Sequence, residues 1–126
     1  MSFARSLSIA DAMEEEINKE ARAISLMMLS GLSKVSPVDK GRFRGNWFVS
    51  LGQSDRTTDD GRRVSTAVSE GSSKISQAVN FSYPTITLSN NLPYAEKLNE
   101  GYSKQAPAKF VEQEIDRVTN ARLNNG

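Results

Sequence analysis

The sequence predicts an α+β domain in which a long N-terminal helix, a middle helix and a C-terminal helix pack on a small antiparallel sheet. Three observations carry this expectation. Apolar residues recur every three or four positions near both ends of the chain, which is helical spacing. Two short segments alternate apolar and polar residues, which is strand spacing. Turn-forming clusters of Gly, Pro, Asn and Asp separate these elements. Two strands make a small sheet, and helices must cover it. A chain of 126 residues has room for one core, so residues 1–126 are expected to form a single domain.

The first helix is expected over 7–35. Ile9, Met13, Ile17, Ala21, Ile24, Met28 and Val35 form its apolar stripe, and Ser8 with Asp11 resembles a capping box. Asp11 and Glu14 to Glu16 suit the positive end of the helix dipole, and Lys34 suits the negative end. Leu26, Met27, Leu29 and Leu32 widen the stripe, so the later turns are expected to be buried on most sides, in the core or against a neighbour. Ser36-Pro37 ends the helix, because a residue before proline avoids α geometry. A basic loop, Val38 to Gly45, leads into a strand over 46–52, where Trp47, Val49 and Leu51 alternate with Phe48 and Ser50. Gln53 to Gly61 reads as a loop. A helix over 58–79, capped by Thr58 and striped by Val64, Val68, Gly71, Ile75 and Val79, is preferred to a strand at 64–68. Thr85 to Leu88 marks a strand over 84–90, which Asn90, Asn91 and Pro93 terminate. Tyr94 to Asn99 forms a helical turn. The last helix runs over 107–123, with Pro107 in its first turn and Val111, Ile115 and Val118 facing inward.

Composition narrows the function. The chain has no cysteine, hence no disulfide framework, thiolate zinc site or cysteine nucleophile, and its assembly is compatible with a reducing cytosol. It has no histidine, the commonest general base and metal ligand. The pairs Ser33-Lys34, Ser73-Lys74 and Ser103-Lys104 join adjacent residues, which do not face each other on a helix, and read as solvated surface positions. Glu14 to Glu16, and the Glu112 and Asp116 pair, read as solvated helix faces. Asp59-Asp60-Gly61 reads as a turn or cap. No phosphate loop or cofactor motif is present, and no catalytic, metal or cofactor residue is assigned. No apolar run is long enough to span a bilayer, and Met1 to Ala10 does not read as a signal peptide. A net charge of +1 gives no long-range pull toward nucleic acid. Hydrophobic content of 37% is at the low end for a self-contained globule and hints at burial against neighbouring subunits.

Gly41-Arg42-Phe43-Arg44-Gly45 interleaves cations with an aromatic residue. It reads as a protein-contact loop before a nucleic-acid site, since Arg, Trp and Phe are enriched at interfaces. Trp47 reads as core first, with a contact hot spot as the sharper alternative.

The stretch Ser36-Pro37-Val38-Asp39-Lys40-Gly41-Arg42-Phe43-Arg44-Gly45-Asn46-Trp47 resembles the proline–valine–acid–x–glycine–x–x–arginine–x–asparagine–tryptophan motif of tail-completion proteins of long-tailed bacteriophages, also called neck or minor tail protein Z-like proteins. A second stretch, Leu88 to Ala95 and on through Leu98, Glu100, Gly101, Tyr102, Ser103, Lys104, Gln105, Ala106, Pro107 and Ala108, resembles that family's strand-and-turn motif. Lys40 stands where the family pattern has threonine or serine, and Lys109 where it has glycine. Residues 53–79 have no clear counterpart.

The resemblance implies a non-catalytic virion protein without a cofactor. It would form a ring, usually hexameric, between the tail tube or tail terminator and the head connector or head-completion protein. DNA would pass through the lumen without sequence-specific binding. The protein would be made in the host bacterial cytoplasm and reside in the virion neck. The expected contact residues are Lys40, Gly41, Arg42, Phe43, Arg44, Trp47, Asn90, Asn91, Pro93, Tyr94, Glu96, Glu100, Gly101, Tyr102 and Pro107. The two motifs are expected to lie close in space, with Glu96 and Glu100 as partners for Arg42 or Arg44, within or between subunits. Competing expectations are a nucleic-acid-binding module using Lys34 to Trp47, a small hydrolase, or a neighbouring neck protein such as a tail terminator or head-completion protein.

Overall fold

The computed structural model describes residues 3–38, 41–101 and 106–125. Its elements are α1 (Phe3–Val35), a 3-10 turn (Arg44–Asn46), β1 (Trp47–Leu51), α2 (Val64–Gln77), a second 3-10 turn (Ala78–Asn80), β2 (Ile86–Asn90), α3 (Ala95–Asn99) and α4 (Phe110–Asn125). The fold is α+β, as the periodicities predict. β1 and β2 pair antiparallel, with Trp47 opposite Asn90, Val49 opposite Leu88 and Leu51 opposite Ile86.

The core gathers where α1, α2, α4 and β1 meet. Leu29, Leu32, Phe43, Trp47, Val49, Ile75, Leu92 and Phe110 fill it. Phe43 sits between Trp47 and Phe110 in edge-to-face contacts, with ring centroids 5.9 and 6.0 Å away. Such pairs add about 0.5–1.5 kcal/mol each beyond area burial. Gly71 lets α2 approach closely: a Cβ there would lie 2.6 Å from Leu29 Cδ2 and 3.0 Å from Val49 Cγ2. The glycine that weakens the helix signal is the one that permits the packing.

Four expectations are corrected. First, α1 runs through Ser8, so Ser8 does not cap it. Its stripe is also rotated. Ile9, Met13, Ile17 and Ile24 are exposed, while Asn18, Ser25, Leu29, Leu32 and Ser33 are buried. Ser25 and Ser33 are accommodated because each hydroxyl donates to the carbonyl one turn back, Ala21 O and Leu29 O. Second, α2 begins at Val64, and Thr58 lies in the preceding extended loop. Third, α4 begins at Phe110. Lys109 adopts φ 59°, which interrupts the helix before Pro107 can join it. Fourth, the buried side chains of α4 are Phe110, Glu114 and Val118, whereas Ile115 is exposed.

α4 packs antiparallel on α1. Glu114 is buried against Gly31 and accepts from Arg117 Nε at 2.7 Å. Further along, Arg122 Nε donates to Glu20 at 2.6 Å. That hydrogen bond, with the guanidinium charge, holds the Glu20 carboxyl below its ordinary pKa.

Gly71→Ala tests the close crossing. Alanine recovers about 1 kcal/mol of helix propensity, but the added methyl overpacks the Leu29 and Val49 contact, which typically costs about 1–3 kcal/mol. The expected result is a lower Tm in thermal denaturation followed by circular dichroism. A higher Tm would show that Leu29 yields without cost.

Candidate functional site

The two motif segments form one unit. Trp47 pairs with Asn90 across the sheet, and Asn90 Nδ2 donates to Phe43 O at 2.9 Å. The Arg42 guanidinium lies 5.3 Å from the centre of the Tyr94 ring. Sequence proximity does not produce this junction, since Phe43 and Asn90 are 47 positions apart. The sheet register does.

Asn46 is the centre of the unit and is fully buried. Its Nδ2 donates to Arg42 O at 2.6 Å and to Asp59 O at 2.9 Å. Its Oδ1 accepts from Asp59 N at 2.8 Å. An asparagine has a donor pair and an acceptor on one flat group, so it can mimic a backbone and fasten the 53–61 loop to the 3-10 turn. Gly45 is required beside it. A Cβ at that position would lie 1.8 Å from Arg62 O, a backbone atom that cannot swing away. Arg62 is itself buried. Its Nη1 donates to Gly45 O at 3.2 Å and Trp47 O at 2.6 Å, its Nη2 to Glu70 at 2.8 Å, and its guanidinium lies 3.9 Å over the Phe48 ring.

The end of α1 is tied to the same unit. Trp47 Nε1 donates to Ser36 Oγ at 2.9 Å. Arg44 Nε donates to Ser36 O at 2.7 Å and its Nη2 to Lys34 O at 2.8 Å. Arg44 therefore satisfies carbonyls that the helix end leaves without partners. Asn91 Nδ2 reaches Asp55 O at 2.6 Å and Thr57 O at 3.1 Å, and Ser89 Oγ reaches Asp55 O at 3.0 Å. Asp55 in turn accepts from Thr57 N at 2.8 Å, and bonds to Thr57 hold its carboxyl below the ordinary value.

This geometry revises the expected contact surface. Phe43 and Trp47 are core, Asn90 and Arg44 are half-buried staples, and Asn91 holds the loop. Trp47 keeps its first reading as a core residue. Neither arginine meets Glu96 or Glu100 within the chain. Arg42 bonds Asp60 at 2.7 Å instead, and the two glutamates are exposed. Ser33 is buried, so the Ser33-Lys34 pair is not a solvated one. Gly41 and Gly101 take left-handed φ of 79° and 102° in turns. Pro93, Gly101 and Pro107 are exposed, and Tyr94 is half-buried. Lys40, Tyr102 and the Ser103-Lys104 pair lie outside the described residues.

Two residues that sequence reasoning passed over belong with these. Asn18 is buried and donates to Ala78 O at 2.8 Å and Phe81 O at 2.6 Å, fixing α1 to the second 3-10 turn. Asn99 Oδ1 accepts from Val111 N at 2.9 Å at the start of α4. A polar residue inside an amphipathic helix was the available signal for Asn18, but its partners are about 60 positions away. Lys109 holds the left-handed φ that favours glycine, the residue of the resembled pattern at that position.

An open groove of about 630 Å³ runs between the N-terminal part of α1 and residues 79–82; its lining includes Asp11, Glu14 and Glu15 and no residue of either motif. Among the described residues no group of three or more carboxylates is placed to hold a metal ion. No described helix is long and apolar enough to cross a membrane. No family model, curated protein or solved structure matches the chain.

Asn46→Ala is expected to destabilise the fold by about 2–4 kcal/mol, because it leaves buried backbone groups without partners. Asn91→Ala, which acts on a more exposed loop, is expected to cost about 0.5–1.5 kcal/mol. Urea denaturation checks the order of the two. Lys109→Gly is expected to raise stability by about 0.5–1 kcal/mol, since relief of the left-handed strain outweighs the freer unfolded chain. A fall in the urea midpoint would show that the strain at Lys109 is negligible.

Proposed function

We propose that the chain is a structural subunit of the neck of a tailed bacteriophage. It forms a ring, hexameric on the family resemblance, that completes the tail and joins it to the head connector. DNA passes through the ring without sequence-specific binding. Its partners are further copies of itself, the tail tube or tail terminator protein on one side and the connector or head-completion protein on the other. It is made in the host bacterial cytoplasm and resides in the virion.

The observation that supports this most is the union of the two motifs in one buried, hydrogen-bonded unit. Pro37, Gly45, Asn46, Trp47 and Asn90 are needed at their positions by packing and by hydrogen bonding. Likeness at such positions is likeness of architecture, and architecture is what a ring subunit contributes. The exposed apolar residues of α1 supply a surface for assembly. The nucleic-acid reading draws less support, because Phe43 and Trp47 are buried and Arg44 is engaged with the end of α1.

Electron microscopy of purified particles carrying a tagged chain tests the proposal. The expected result is a closed ring at the head–tail junction, whose layer separates tail completion from tail terminator and head completion. Particles that are complete but lack the chain, or that carry it at the distal tail tip, overturn the reading.

A further inference from the structure

One side of α1 is covered along only part of its length. Ile9, Met13 and Ile17 are spaced by four and share one side of the helix. They are 55, 60 and 46% exposed. Glu20 and Gly31 continue the same side at 3.6 residues per turn. There α4 covers it, through Arg122 on Glu20 and Glu114 on Gly31. The apolar side of α1 runs on uncovered for roughly 16 Å, from Glu20 to Ile9. No side chain from Ile9 to Ile17 is buried, and Asn18 is the first anchor to the body.

Charge says what kind of surface fits this arm. Residues 1–20 carry five carboxylates, Asp11, Glu14, Glu15, Glu16 and Glu20, against Arg5 and Lys19, a net of −3. Since the whole chain is +1, the remainder is +4. Packing one arm on another would bring two blocks of −3 together. Packing an arm on the rest of a second copy brings −3 to +4. A contact between two different surfaces is also the type that closes a ring.

We propose that the arm docks on a second copy of this chain in a head-to-tail contact, with Ile9, Met13 and Ile17 packed on that copy's body and not on its arm. This deepens the ring-subunit reading and rests on it for the existence of contacts between copies.

The chain has no cysteine, so Met13→Cys gives a unique thiol at an exposed site. The full-length variant, labelled there with benzophenone maleimide, is irradiated at tens to hundreds of micromolar, and the products are mapped by mass spectrometry. The expected result is intermolecular cross-links to residues beyond 20. Their yield should fall several-fold between low and high salt, since screening weakens contacts between exposed opposite charges. Adding Ile17→Asp should reduce the yield about tenfold or more while far-ultraviolet circular dichroism stays unchanged, since a charge replaces one exposed apolar contact.

Cross-links confined to residues 1–20 of the other copy, or a yield that rises with salt, overturn the head-to-tail contact in favour of arm-to-arm pairing. Products that stay monomeric overturn it as well. Neither result touches the neck assignment, which stands or falls on where the chain sits in the particle.

Discussion

The fold depends on burying the Arg62 guanidinium. Its side chain is 4% exposed, and a charge so placed is tolerated only when its donors are used. Arg62 uses them on two carbonyls, Gly45 O in the 3-10 turn and Trp47 O at the start of β1, and on Glu70 of α2. The Phe48 ring closes over it. One side chain thus ties the turn to β1, and both to α2. The arrangement brings the Arg62 backbone so close to Gly45 that no side chain fits there. Asn46, next in sequence, then fastens Asp59 of the 53–61 loop to the chain at Arg42, just before the 3-10 turn. The two-stranded sheet has little strength alone. It is held by this polar junction on one side and by the Phe43, Trp47 and Phe110 cluster on the other.

Much of this was legible in the sequence, and the limits have physical causes. Periodicity placed α1, β1, β2 and the last helix within a few residues, because burial of one face imposes the period whatever the partner. It misplaced the buried face of α1. Ser25, Ser33 and Asn18 count as polar in a pattern, yet each finds its partner on a backbone carbonyl and can be buried. Isoleucine and methionine on the opposite side count as core, yet they face solvent. The motif around Trp47 stood out from composition and spacing, but its role did not. Arginine, tryptophan and phenylalanine serve interfaces and interior junctions equally well, and only the distances to Ser36, Lys34 and Phe110 decide between them. Thr58 offered a plausible helix start. The Asn46 and Asp59 bonds outcompete it by holding the loop until Arg62 is seated.

Lys109 shows how local chemistry can be overruled. A lysine at φ 59° is strained, and the strain persists because both neighbouring segments are fixed. Ala106 packs in the core before it, and Phe110 is locked in the core immediately after it, where Asn99 also accepts from Val111 N. The turn is therefore dictated by its ends. Such a position tells little about contacts and much about the rigidity of the body to which α4 belongs.

The division of polar and apolar groups bears on the proposed role. Within the motifs, Arg44, Asn46, Asn90 and Asn91 spend side-chain donors on the chain's own backbone, so assembly need not break these bonds. A subunit built in this way can be stable before it meets a partner and can bind without unpairing its interior. Part of the exposed apolar surface lies away from that junction, at Ile9, Met13 and Ile17 of α1. Rigid polar bracing in one region and an uncovered helical face in another are separable. On the proposed role, changing the arm would alter what the chain meets, whereas changing the junction would alter whether it folds. A ring subunit needs that separation, because its contact surfaces must match its neighbours while its body holds them at a fixed angle.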